Sequence, residues 1–268
     1  MVQIFNTGVH LSLPPAHLFK LPPDPNPAAL PPPPVTDEWT LKSPLAIDPA
    51  FYNAALQPSV PITFALVYFT VVTLWNQVNR QRGWRPWAIS RTRPFKDFTL
   101  IHNVLLAIYS AFTFAGMCRA MWVSTPGWFG DAPVVHQVDA LCKMQGPRGF
   151  GDAVSYDPAG LKWAVKNKAI NLGVGGLAPD PTDVGRIWNE GLAFWGWLFY
   201  LSKFYEVVDT MIALLKGKRA TTLQTFHHFG AMFAMWSGIR YMSAPIWMFV
   251  IINSFIHTLM VSWSIRRT

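Results

Sequence analysis

Charge is scarce in this chain. Asp, Glu, Lys and Arg make up only 13% of its 268 residues, while aromatic residues reach 15%. Soluble globular domains carry about 25% charged residues, so this sequence has too little polar surface for one. Cysteine is nearly missing as well. Cys118 and Cys142 stand far apart without a CxxC pair, which excludes a disulfide framework and a thiolate metal site. The N-terminus has neither the cationic start nor the apolar core of a secretory signal. No internal repeat is visible. The net charge of +8 does not imply a nucleic-acid partner, because the basic residues form short clusters flanking apolar blocks. The partner this composition predicts is the lipid bilayer.

What is abundant confirms that direction. Residues 1–56 are proline-loaded, with Pro31-Pro32-Pro33-Pro34 at their centre, and are expected to form a disordered tail. From residue 57 to 268 the chain reads as a membrane domain. Five apolar blocks near 62–78, 98–123, 188–215, 222–242 and 245–265 approach the ~20 residues needed to span a bilayer. The fold class predicted is therefore an all-α integral membrane protein, a multi-span helical bundle or barrel. The long segment 124–186 reads as a loop without a span, in which Leu161–Lys166 has the pattern of a short amphipathic helix. Basic clusters follow the first, third and fifth blocks, at Arg80–Lys96, Lys216–Arg219 and Arg266–Arg267. By the positive-inside rule these lie in the cytosol, with the N-terminus and the 124–186 loop on the lumenal side.

Ionisable residues are costly inside a bilayer, so a cluster of them is a functional-site hypothesis. Lys203, Glu206 and Asp209 recur at i, i+3 and i+6 in the third block. An unbroken helix would confine them to an arc of about 120°. Gln224, His227 and His228 fall at i, i+3 and i+4 in the fourth block, and Asn253 and His257 at i, i+4 in the fifth. Convergence of these faces would give one polar interior. A structural ion-pair stripe between packed helices is the plainer reading of the third block. Metal binding by imidazole is disfavoured, since only seven histidines exist and His10, His17 and His136 lie in the tail or loop. Acid–base or nucleophilic catalysis on an acyl group remains, a role suited to a group of pKa ~6.5.

These motifs carry a resemblance. Lys203-Phe204-Tyr205-Glu206-Val207-Val208-Asp209-Thr210 resembles the KxxExxDT motif of the ELO family of fatty acid elongases. His227-His228 resembles the end of that family's HxxHH box, and Asn253–Met260 its NxxxHxxM motif. Arg93-Pro94-Phe95, followed by His102-Asn103, is similar to the family's segment leading into its second span. The resemblance runs from about Phe51 to the end. It implies a multi-pass enzyme of the endoplasmic reticulum that condenses acyl-CoA with malonyl-CoA, giving 3-oxoacyl-CoA, CO2 and CoA. This is the first step of very-long-chain fatty acid synthesis, carried out without a metal or redox cofactor. His227, His228, His257, Gln224 and Asp209 are then the expected catalytic residues. Lys203, Glu206, Asn253, His102 and Asn103 are expected to bind substrate, and Lys216, Lys218 and Arg219 to meet the CoA phosphates. The implied partners are 3-oxoacyl-CoA reductase, a dehydratase and an enoyl reductase. The chain departs from the family pattern twice. Gln224 stands where the box has its first histidine, and about five spans are present where the family has seven. A non-catalytic or transport-type membrane protein on a shortened elongase-like scaffold is the alternative.

Overall fold

The computed structural model describes residues 2–3, 10–11, 40–125, 134–142, 144, 154–157, 162–165 and 186–265. The chain divides into two units, 1–30 and 31–268, and the described residues of the first are two short strands. Of these, β1 (Val2–Gln3) pairs antiparallel with β2 (His10–Leu11), Val2 opposite Leu11. The Pro31–Pro34 run and the basic pair Arg266–Arg267 lie outside the described residues.

The described residues of the second unit are mainly helical. Its elements are α1 (Pro49–Ala55), α2 (Ser59–Gln81), α3 (Arg93–Ser124), α4 (Val134–Cys142), α5 (Ala193–Tyr205), α6 (Val207–Leu215), α7 (Thr222–Arg240) and α8 (Ile246–Ile265). Their starts are written locally. Asp48 caps α1 with Pro49 in its first turn, Thr92 caps α3 by accepting from the Phe95 N–H, and Thr221 caps α7 by accepting from Gln224. Such side chains satisfy donors that a helix start leaves open. α3 lies along α8, α5 packs between α7 and α3, and α2 stands at the side against α6 and α7.

Among the described residues, α2 and α3 are long and apolar enough to cross a membrane. Most of α2 faces outward, with Phe64, Leu66, Val67, Phe69 and Leu74 all exposed. Such a face in water would be a large apolar patch, whereas in lipid it is solvated. The third apolar block is not one rod. It opens with a π-helical turn over Trp188–Leu192, continues as α5, breaks at Glu206 and resumes as α6.

Two expectations are corrected. Residues 40–56, assigned to a disordered tail, are ordered by hydrogen bonds from aromatic side chains. Tyr52 is fully buried, stacks on Trp197 at 5.0 Å and donates to the Ala193 carbonyl, while Trp197 and Tyr200 donate to the carbonyls of Tyr52 and Ala55. Trp236 donates to Leu56 in the same way. The amphipathic helix expected within Leu161–Lys166 is instead β4 (Lys162–Val165), paired antiparallel with β3 (Val154–Asp157). Val154, Tyr156, Trp163 and Val165 favour a pleated strand, and the cross-strand ladder satisfies the backbone that a lone turn of helix leaves open.

Candidate active site

α5 carries the centre of the site. Lys203 and Glu206 are one turn apart and both buried, with Lys203 Nζ 2.7 Å from Glu206 Oε1. Burying two charges is costly unless their remaining hydrogen-bonding capacity is met. It is met here: Lys203 also donates to Asn253 Oδ1 on α8 at 2.9 Å, and Ser202 Oγ donates to Glu206 Oε1 at 3.0 Å. The ammonium lies 3.8 Å from the centre of the Phe199 ring, a cation–π contact. His257, one turn beyond Asn253, holds Nε2 4.0 Å from Glu206 Oε2. Lys203, Glu206, Asn253 and His257 therefore form one network across α5 and α8.

Asp209 does not join it. At Glu206 the backbone shortens its step, and the Asp209 N–H bonds to the Glu206 carbonyl at 3.1 Å, an i to i+3 link. Asp209 pairs instead with α3, where its Oδ1 lies 3.0 Å from His102 Nε2. The other ring nitrogen of His102 is 2.9 Å from the Tyr205 hydroxyl. Both nitrogens of this buried imidazole are thus fixed, which sets its orientation. The single arc expected for Lys203, Glu206 and Asp209 is divided into two pairings.

A third group sits at the start of α7. Gln224 Nε2 donates to Thr210 Oγ1 at 3.3 Å, and that hydroxyl is 3.2 Å from the Tyr68 hydroxyl on α2. His228 is buried and meets the Tyr68 ring edge-on at 6.1 Å. The face expected to hold Gln224, His227 and His228 is also divided, because His227 is exposed and touches the others only through the His228 ring, 5.6 Å away. Asn103 is half-buried beside His102 on α3.

The basic residues Lys216, Lys218 and Arg219 occupy the turn between α6 and α7, outside the buried network. Burial, and then the like charge of Lys218, holds the Lys216 ammonium below the usual lysine range. Among the described residues, no group of three or more His, Cys, Asp or Glu converges.

Several members of the site escaped the sequence reading. Ser202, Thr210 and Tyr205 bond to Glu206, Gln224 and His102, and Tyr68 joins through Thr210. Tyr109 on α3 is another. Its hydroxyl lies beside Thr113, Ser202 and Glu206, yet is buried without a hydrogen-bond partner among the described residues. A hydroxyl on α2 or α3 has no periodic signature, so only packing reveals it.

The bundle thus carries three separate polar groups among apolar helices. A model of the ELO family, described as GNS1/SUR4, matches residues 53–263. The chain belongs to that family. The matched region of this ELO-family chain contains all three polar groups, and the family's multi-span membrane architecture accords with the all-helical bundle. Over 78 residues it is 38% identical to fatty acid elongase sre1 of Dictyostelium discoideum, covering 29% of each chain. Fatty acid elongase 2 of Trypanosoma brucei brucei is 33% identical over 87 residues, 32% of each chain. Human very long chain fatty acid elongase 1 is 37% identical over 67 residues, 24% of each. The matched stretches thus span a quarter to a third of the curated relatives' lengths. No solved structure matches the chain.

Proposed function

We propose that this chain is a fatty acid elongase that condenses acyl-CoA with malonyl-CoA in the endoplasmic reticulum membrane, with the N-terminus lumenal and the C-terminus cytosolic. The observation that carries the reading is the buried Lys203–Glu206–Asn253 network, with His257 at its edge, inside the stretch shared with the family. In the reaction, malonyl-CoA loses CO2 and its methylene carbon attacks the acyl thioester carbonyl. The carbon–carbon bond forms as the carbon–sulfur bond breaks, and CoA leaves as thiolate and takes up a proton.

The residues divide the work. His257, His228 and His227 supply imidazole as base or acyl acceptor. Gln224, held on Thr210, orients a thioester carbonyl, since an amide cannot become an acyl-imidazole. The His102 ring, both nitrogens held by Tyr205 and Asp209, positions those two groups beside a bound acyl group, and the Tyr109 hydroxyl offers it a hydrogen bond. Lys216 and Lys218 meet the CoA phosphates at the mouth, while Arg219 lines a separate cleft between α2 and α7. The reaction so drawn uses no metal or redox cofactor. Its product passes to a 3-oxoacyl-CoA reductase, a dehydratase and an enoyl reductase.

The test is microsomes expressing the full chain, supplied with labelled malonyl-CoA and a panel of saturated and unsaturated acyl-CoAs. Labelled 3-oxoacyl-CoA is expected from at least one primer. Replacing Asp209 with Asn should lower that product by at least ~100-fold, the scale of a misplaced acid–base group. Protein present without product from any primer would leave the non-catalytic reading in its place.

A further inference from the structure

A second polar feature lies apart from the Lys203–Glu206 network, in the cleft between α2 and α7. It is a cavity of about 420 Å³ whose lining includes Phe69, Asn76, Arg80, Trp84, Arg219 and Phe226. The two guanidiniums come from different elements, and neither has an acidic partner among the described residues. Thr222, in the first turn of α7, also lines it, so the positive end of that helix dipole adds to the same field.

The backbone that carries the arginines is braced, and their side chains are exposed at the cleft. Asn76 makes a two-way bond with the backbone of Ala220, donating to its carbonyl at 3.0 Å and accepting from its N–H at 3.1 Å. Buried Asn79 donates to the Leu214 carbonyl at 2.8 Å and accepts from Trp87 Nε1 at 2.9 Å. The chain leaving α2 adopts left-handed backbone at Gly83 and then at Trp84, where φ is 58°. For a bulky residue this conformation is strained and persists only where its surroundings enforce it. The enforcement is visible: the Trp84 N–H bonds to Asn79 at 2.7 Å, and Gly217 lies so close that a Cβ there would meet the Trp84 carbonyl oxygen at 2.4 Å. Two interlocked turns thus hold the backbone of Arg80 and Arg219 on either side of one space.

Paired, unneutralised guanidiniums in a preformed cleft suit a phosphate group, which they can grip through parallel hydrogen bonds. A phosphate could reach the cleft on a lipid or on a soluble nucleotide such as CoA. The walls favour the lipid. Phe69 and Phe226 line the cavity while remaining exposed, and Leu66, one turn from Phe69, is exposed too, continuing an apolar track along α2. A headgroup on the arginines would lay its acyl chain along that track, which already faces the bilayer. We propose that the α2–α7 cleft is a binding site for an anionic phospholipid, with Arg80 and Arg219 gripping its phosphate.

The test uses the full chain in a mild non-ionic detergent, offered equal amounts of dioleoyl phosphatidic acid and dioleoyl phosphatidylcholine. Lipid retained after gel filtration is measured by mass spectrometry, a readout independent of turnover. Phosphatidic acid should be enriched by roughly tenfold, and the Arg80→Gln/Arg219→Gln chain should lose that preference. Should the double variant aggregate, Arg219→Gln alone, at an exposed turn, should lower the enrichment by about threefold. Equal retention of the two lipids, or enrichment that survives loss of the arginines, would overturn the proposal. Free CoA in large excess should leave the retained phosphatidic acid in place. Its displacement by CoA, in the wild type but not the arginine variants, would assign the cleft to a soluble nucleotide and overturn the lipid site.

Discussion

Among the described residues, two lysine–glutamate pairs look alike on paper and differ in what surrounds them. Lys203–Glu206 is dry on both sides, with side chains 2% and 4% exposed, and closes at 2.7 Å. Lys42–Glu190 joins a lysine that is 32% exposed to an equally buried glutamate, at 3.2 Å. Glu190 also has Arg119 Nη2 at 3.9 Å, and the Arg119 guanidinium donates to its backbone carbonyl. The first pair has no water to fall back on and depends on Ser202 and Asn253 to complete its hydrogen bonds. The second has solvent on one side and a spare cation on the other. A buried pair held this tightly is weak evidence of stability for its own sake and stronger evidence of a site, because two apolar side chains would fill the same volume without the desolvation cost.

That contrast can be broken by substitution. Lys203→Met should cost the most, about 3–5 kcal/mol of unfolding free energy, since it strands Glu206 in an apolar setting. Adding Glu206→Leu should recover most of the loss while abolishing elongation, both read by thermal unfolding in detergent and by the microsomal assay. Asn253→Leu removes one partner of the ammonium and should cost about 1–3 kcal/mol by the same melt. Lys42→Met should cost less than ~1 kcal/mol, and that small effect should shrink further as salt is raised. A Lys42→Met loss as large as that of Lys203→Met would erase the distinction between the two pairs.

Much of the bundle was legible because apolar blocks of spanning length have few alternatives. Each of the five blocks carries helix, and Thr92 and Thr221 mark two of the starts. The pairing of Lys203 with Glu206 followed from i, i+3 spacing alone. Asp209 shows where that logic stops. Its partner, His102, lies on a helix 107 positions away, and no periodicity within the third block announces it. His227 and His228 make the same point by being adjacent. Neighbouring helical residues diverge by about 100°, so one imidazole is buried and the other exposed. Residues 40–56 were misjudged for a different reason. Their order depends on donors from Trp195, Trp197, Tyr200 and Trp236, 145 to 180 positions away, and proline content says nothing about those.

The one-turn spacing of Lys203 and Glu206 also bears on how the protein is made. Asn253 follows Lys203 by 50 residues and cannot help when the third apolar block first leaves the ribosome. Glu206 is already there. As soon as that turn winds, the ammonium and carboxylate neutralise each other within a single segment, and the penalty for handing a charged helix to the translocon falls before any neighbouring helix has been synthesised.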